Sequence, residues 1–315
     1  MSFTVENIPD QTGRLAVITG ATGGLGYETA LALAGAGATI ILTGRNAEKG
    51  AAALSSIRAI HPKADIAYDT LDLARLSSVA EFGDRISQQR NRIDILVNNA
   101  GVMAPPKRQV TADGFEMQFG TNYLGHFALT ARLLPQLIAG KARVVSLSSI
   151  AARGARINFD DLQATRRYTP FVSYGQSKLA MLMFAFELQR RSDFAGWGLT
   201  SIGAHPGVSR TSLIENGPGQ GGAIRLAVVK FFTGLAMNIM AQSAADGALP
   251  QLFAATAPEA RPGGYYGPAN MGEYKGPVTA AKPPQPALDV AAAGRLWAAS
   301  QQLTHLPFST DTKVA

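Results

Sequence analysis

The sequence predicts an α/β fold: a doubly wound parallel sheet of about seven strands with helices on both faces, in a single domain. Two observations carry that prediction. Short apolar runs alternate with longer stretches of helical period through most of the chain. A glycine-rich string stands where the first apolar run hands over to the first helical stretch. Strands alternating with helices are the mark of βαβ units, and right-handed crossovers wind the helices onto both faces.

In chain order, Leu15–Thr19 is the first apolar run and stops at Gly20. Leu25–Ala36 reads as a helix and Thr39–Thr43 as the second strand. A helix over Asn46–Ile60 and a strand over Ile66–Leu71 follow. Ser77–Gln89 is helical, Ile93–Val97 is the fourth strand, and a long helix is expected from Ala112 to Ala139. Ala142–Leu147 is the fifth strand. The next helix carries Tyr174 and Lys178 and runs to Arg191; Leu199–His205 is the sixth strand. A glycine-rich break at 217–222 precedes an apolar stretch, 223–241, whose Arg225, Lys230 and Asn238 make it a poor membrane span. A helix over Ser243–Ala255, a short last strand at 263–267, a proline-rich surface excursion at 276–286 and a helix over Leu288–Leu303 complete the chain.

With 315 residues, length alone allows two domains, but one α/β domain of this size is common, and residues 1–315 read as one. There is no cysteine, which excludes thiol catalysis and disulfides and suits a reducing compartment. The four histidines show no metal-ligand spacing, so no metal is expected. The net charge of +7 is scattered singly or in pairs, such as Arg166-Arg167 and Arg190-Arg191, and not laid out as a nucleic-acid stripe. The field still favours a polyanionic cofactor. The first thirteen residues are polar, without the apolar core of a leader or anchor, so a cytoplasmic protein with no integral membrane segment is expected. A homo-oligomer remains open.

Thr19-Gly-Ala-Thr-Gly-Gly-Leu-Gly26 lies at a strand-to-helix junction. Glycine permits the tight turn, and the helix N-terminus offers free N–H groups to a phosphate, so the domain reads as Rossmann-type with Gly20, Thr22, Gly24, Leu25 and Gly26 at a dinucleotide. The second strand ends at Thr43-Gly44-Arg45, where an acidic residue would bond a ribose 2′-hydroxyl. An arginine favours a 2′-phosphate instead, so NADP(H) is expected over NAD(H), with NAD(H) still possible. Glu48 should lie inside the following helix.

Tyr174 and Lys178 are four residues apart and share one helix face. An ammonium beside a phenol favours the phenolate and is expected to lower the tyrosine from its ordinary value of about 10. Such a phenol can serve as a general acid/base.

These motifs together resemble the short-chain dehydrogenase/reductase family over nearly the whole chain. The resemblance rests on the glycine loop, Asp72 in Leu71-Asp72-Leu73, Asn98-Asn99-Ala100-Gly101, Ser148-Ser149, Tyr174-x-x-x-Lys178, and Pro206-Gly207 with Thr211. Within the family it is nearest the retinol-dehydrogenase-like and WW-domain-oxidoreductase-like members, on Thr121–Phe127, Asp161-Leu-Gln163 and His205–Thr211. The glycine spacing also fits the sugar-nucleotide epimerases and dehydratases of the larger branch; Asn98–Gly101 favours the reductases.

The resemblance implies roles. Tyr174 is the general acid/base, Lys178 holds the nicotinamide ribose, and Ser149 bonds the substrate oxygen while Ser148 is structural. Asn122, a poor mid-helix residue, supports a proton relay to the lysine. Asp72 and Leu73 adjoin the adenine, and Asn99, Ala100 and Gly101 the cofactor. Pro206, Gly207, Val208 and Thr211 border the nicotinamide and pyrophosphate. His126 and His205 read as packed or strand-end residues. Residues 213–241 would form an apolar substrate lid with Leu226, Val229, Phe232, Leu235 and Met240, and 268–315 a C-terminal extension. The expected activity is NADP(H)-dependent interconversion of a hydrophobic ketone or aldehyde with its alcohol. A non-catalytic cofactor sensor or scaffold and a sugar-nucleotide epimerase or dehydratase are the alternatives. Arg210 is a candidate grip for an acidic substrate.

Overall fold

The computed structural model describes residues 2–209 and 241–308. Its sheet runs β3-β2-β1-β4-β5-β6-β7-β8, formed by β1 (Leu15–Thr19), β2 (Thr39–Gly44), β3 (Ile66–Thr70), β4 (Ile95–Asn98), β5 (Arg143–Leu147), β6 (Thr200–Ala204), β7 (Tyr265–Asn270) and β8 (Lys275–Ala280). All neighbours are parallel except β7 and β8.

Alternation along the strands divides the core between two faces. Leu15 and Val17 join Leu96, Val144, Phe82, Phe127 and Phe184 on one side. Ala16 and Ile18 join Ile40, Leu42, Val97, Val145 and Ile202 on the other. The second face is covered by α1 (Gly24–Gly35), α2 (Ala47–Ile60) and α7 (Ala244–Thr256), through Leu33, Ile57 and Leu252. The first is covered by α3 (Leu76–Gln89), α4 (Gly125–Arg132), α5 (Leu134–Ala139), α6 (Pro170–Ala195) and α8 (Val290–Thr304). Burial on both faces is why the central strands read as unbroken apolar runs.

Two expectations are corrected. The helix expected from Ala112 to Ala139 begins later and is broken. Thr111 to Gly114 makes a turn with Gly114 at φ +83°, and Val110 pairs with Glu116. The buried Glu116 carboxylate then accepts from the backbone N–H groups of Gln118 and Phe119 at 3.0 and 2.7 Å, starting the helix. A π-helical turn, Phe119–Leu124, leads into α4, and Pro135 opens α5. The second correction concerns the proline-rich excursion: Lys275–Ala280 is an eighth, antiparallel strand. Among the described residues it pairs with β7 alone, and an edge strand tolerates Pro277, whose missing N–H no described neighbour needs.

The C-terminal extension is part of the core. Trp297 of α8 packs edge-on to Phe127 at 5.1 Å and stacks on Phe184 at 5.7 Å, while Arg191 lies 4.4 Å over its ring. Tyr123 and Ser300 share a buried hydrogen bond of 2.7 Å. Of the expected lid at 213–241, all but residue 241 lies outside the described residues, its five apolar residues included, as do Arg210 and Thr211.

Candidate active site

The C-terminal ends of β1, β4, β5 and β6 line one edge of the sheet, and the strand order reverses between β1 and β4. In open α/β sheets ligands bind at such a reversal. The glycine loop leaves β1 there. Gly20 has φ +64°. A Cβ on Gly26 would lie 2.5 Å from the Gly20 carbonyl and 2.6 Å from Asn99 Nδ2, so only glycine lets α1 approach this closely. Gly23 precedes α1 without any side-chain cap, and the first turn holds no acidic residue. The leading N–H groups and the positive end of the dipole, beside Thr22, Gly24 and Leu25, therefore face outward uncapped, which fits a pyrophosphate.

Around the loop, Asn99 donates from Nδ2 to the carbonyls of Thr19 (2.7 Å) and Gly20 (3.4 Å), bracing the turn with its side chain. The Ala100 N–H goes to Thr19 Oγ1 at 3.0 Å. Arg45 is exposed directly after β2, whose Gly44 abuts the Thr22 methyl. Glu48 lies in the first turn of α2, as expected. Asp72 Oδ1 accepts from the Ala74 N–H at 3.0 Å, and Leu73 is buried beside Gly125.

Tyr174, Lys178, Ser149 and Asn122 come together on the far side of the same edge. Tyr174 is 8% exposed and Lys178 4%. Ser149 caps the short turn Ile150–Ala152, accepting from the Ala151 N–H at 3.2 Å, and its side chain lies near enough to Tyr174 to pull the phenol's pKa down. Ser148 instead donates to the Lys178 carbonyl at 2.9 Å and fixes α6 to β5. Asn122 sits in the π-helical turn. Its Oδ1 accepts from the Val102 N–H at 2.7 Å, and its Nδ2 donates to Val102 O and Ser177 Oγ at 3.0 and 2.9 Å. A Cβ on Gly101 would meet Asn122 Oδ1 at 3.1 Å and Lys178 Nζ at 3.5 Å, which shows how tightly the three gather.

The expected depression of the Tyr174 pKa is corrected. Burial pushes the phenol up to about 12, against a smaller downward pull from Ser149. Burial also brings Lys178 down to about 8. Its Nζ donates to the Leu147 carbonyl at 3.0 Å and lies 6.0 Å from the centre of the Tyr174 ring. Removal from water outweighs the lysine's charge at that separation.

Arg153 and Glu273 escaped sequence reasoning, and the partners of His126 and His205, read there as packed or strand-end residues, emerge only in the fold. His126 Nδ1 donates to the Asn122 carbonyl at 2.8 Å; its i+4 spacing from Asn122 was the available signal. His205 is fully buried: Nδ1 accepts from the Gly207 N–H at 3.2 Å, and Nε2 faces Glu273 at 3.0 Å. Glu273 also pairs with Arg153 at 2.5 Å. No local spacing connects these three. Pro206, Gly207 and Val208 follow β6, with Gly207 at φ +63° and the Val208 N–H bonded to Tyr274 O at 2.8 Å.

A family model described as short chain dehydrogenase matches residues 14–218. The chain belongs to the short-chain dehydrogenase family. It falls in the retinol-dehydrogenase-like branch. Mouse polyprenol dehydrogenase is 38% identical over 307 residues, covering 96% of this chain and 87% of its own. Human retinol dehydrogenase 13 is 47% identical over 203 residues, 64% of this chain, and the match spans only 60% of that relative's length. A crystal structure of a protein from Mycobacterium paratuberculosis is 38% identical, with a TM-score of 0.80 over 98% of this chain and all of that one. The family uses nicotinamide cofactors, so this short-chain dehydrogenase is an oxidoreductase. Among the described residues no helix is long and apolar enough to cross a membrane.

Proposed function

We propose that this short-chain dehydrogenase interconverts a hydrophobic ketone or aldehyde with its alcohol, using NADP(H), with Tyr174 as general acid/base. The observation that carries the reading is the gathering of buried Tyr174 and Lys178 with Ser149 and Asn122 on the sheet edge that also presents the uncapped start of α1.

The cofactor fits the residues present. Gly20, Thr22, Gly24, Leu25 and Gly26 would hold the pyrophosphate, Arg45 the 2′-phosphate, and Asp72 with Leu73 the adenine. Ala100, Gly101, Pro206, Gly207 and Val208 would border the nicotinamide half, with Asn99 bracing the loop. Thr211 is assigned with them on sequence alone. When bound, the nicotinamide supplies or accepts the hydride.

The chain's residues manage the oxygen and its proton. Ser149 Oγ and Tyr174 OH would both donate to the substrate's carbonyl oxygen. Held neutral by burial, the Tyr174 phenol is ready to give its proton to that oxygen during reduction. In the reverse direction it must take up the alcohol proton, and Lys178 is assigned the role of favouring that phenolate. Asn122 ties the π-helical turn to Ser177 of α6 and to the 101–102 backbone, so the lysine and tyrosine keep their places.

A hydrophobic substrate is supported by relatives named for retinol and polyprenol, both apolar alcohols. The cysteine-free sequence suits a reducing compartment, and we place the enzyme in the cytoplasm, which cell fractionation tests. NADPH consumption with a panel of apolar ketones and aldehydes, and NADP+ reduction with the matching alcohols, tests the activity. Tight cofactor binding with no turnover on any of them would overturn it in favour of a non-catalytic binding protein.

A further inference from the structure

The tip of the β7–β8 hairpin has an unusual backbone. Met271, Gly272 and Glu273 all have positive φ, at 53°, 70° and 68°. Two of the three carry side chains, and the left-handed region is unfavourable for them. A conformation of this kind persists where its surroundings over-determine it, and such sites cluster at functional places.

What holds the tip is the Glu273 carboxylate. Oε2 meets His205 Nε2 at 3.0 Å and Arg153 Nη2 at 2.5 Å, while Oε1 accepts from the Lys282 N–H at 3.1 Å. Arg153 Nη1 also donates to the Gly272 carbonyl at 2.7 Å. His205 Nδ1 accepts from the Gly207 N–H, so Nε2 carries the ring proton and donates it to the carboxylate. The adjacent Tyr274 carbonyl takes the Val208 N–H at 2.8 Å, and it lies where any Cβ on Gly207 would stand.

The two ends of this network matter. Arg153 closes the short turn that Ser149 caps. His205, Gly207 and Val208 form the loop that leaves β6. One carboxylate from the end of the sheet therefore ties together the turn bearing the substrate-oxygen donor and the loop beside the nicotinamide.

We infer that Glu273 is a positioning residue, which fixes the Ser149 turn against the 205–208 loop through Arg153 and His205. It rests on the oxidoreductase reading of the same site. The β7–β8 hairpin thus sets the spacing between the substrate oxygen and the nicotinamide end of the cofactor, and hydride transfer is sensitive to such spacing.

Glu273→Ala, Glu273→Gln, Arg153→Ala and the Glu273→Ala/Arg153→Ala pair test this. NADPH affinity is read by its fluorescence on binding, kcat and KM by NADPH consumption, and the folded fraction by chemical denaturation. Wild-type turnover tests the oxidoreductase reading; the affinities of the variants test the positioning role whether or not a substrate is in hand. Per folded molecule, Glu273→Ala should lower kcat about tenfold or more and weaken NADPH about fivefold, with carbonyl KM changed less. Glu273→Gln keeps an oxygen for His205 and loses only the ion pair, so it stays folded and falls between. The double variant should be no worse than Glu273→Ala alone, since the two residues act as one unit. NADPH affinity and kcat within about twofold of wild type per folded molecule, or additive losses in the pair, would overturn the inference.

Discussion

Thr19 Oγ1 lies 2.8 Å from His126 Nε2, inside the protein where neither touches water. Because His126 Nδ1 faces the Asn122 carbonyl it must carry the ring proton, so Nε2 accepts and the Thr19 hydroxyl donates. That hydroxyl also accepts from the Asn99 and Ala100 N–H groups at 2.9 and 3.0 Å. One neutral imidazole thus joins the glycine loop to the turn that carries Asn122.

His126→Ala would leave the Thr19 hydroxyl and a cavity behind it, and should cost about 2–4 kcal/mol of stability. Urea denaturation measures it. A loss below about 0.5 kcal/mol, within the range of surface substitutions, would show that the bridge carries little.

The same histidine predicts a pH dependence of known sign. Burial brings His126 down to about 3 and His205 to about 4. Unfolded histidine titrates near 6.5, so below that pH the unfolded chain binds protons that the folded chain refuses. Stability should therefore fall as pH drops from about 6.5 toward 4, by about 1.4 kcal/mol per pH unit for each histidine. His126→Asn should remove one histidine's share of that slope; an unchanged slope would contradict neutral burial.

Tyr174→Phe removes the phenol and little else. Turnover should fall by about a hundredfold to ten-thousandfold, the usual worth of a general acid/base, with NADPH affinity nearly unchanged. Steady-state kinetics and a binding titration separate the two. Near-normal kcat would sink the proposed mechanism.

Arg45→Asp would replace the proposed donor to a 2′-phosphate with an acceptor for a 2′-hydroxyl. The ratio of NADP(H) to NAD(H) efficiency should fall by about tenfold to a hundredfold, the worth of a charge-assisted hydrogen bond. If the ratio stays put, another residue reads the phosphate.

The sheet was legible because its central strands are buried on both faces and so appear as apolar runs, as in Leu15–Thr19 and Ile95–Asn98, whose first four and first three residues are apolar. The glycine loop and the Tyr174–Lys178 pair were legible because their chemistry depends on local spacing. Lys275–Ala280 was not, since prolines at an exposed edge look like a loop until a partner strand is known. Glu273 was hidden because its partners, Arg153 and His205, meet it only in the folded chain. The direction of the Tyr174 shift was misjudged for a related reason: spacing shows the neighbouring charge and not the loss of water.

Trp297→Ala should be among the more damaging core changes, costing about 3–5 kcal/mol. Thermal or urea denaturation reads it, and a loss under about 1 kcal/mol would mean that the helix packs without its anchor.

That anchor also bears on how the molecule comes to be made. Phe127 and Phe184 belong to segments that leave the ribosome long before Trp297 does. During synthesis the aromatic face behind Asn122 and Tyr174 has no cover, and exposed surface of that kind makes a nascent chain prone to aggregation and a client for chaperones. The helix that bears Tyr174 and Lys178 is therefore made early and sealed late, so a ribosome that stalls before α8 releases a chain with every proposed catalytic residue present and its core open.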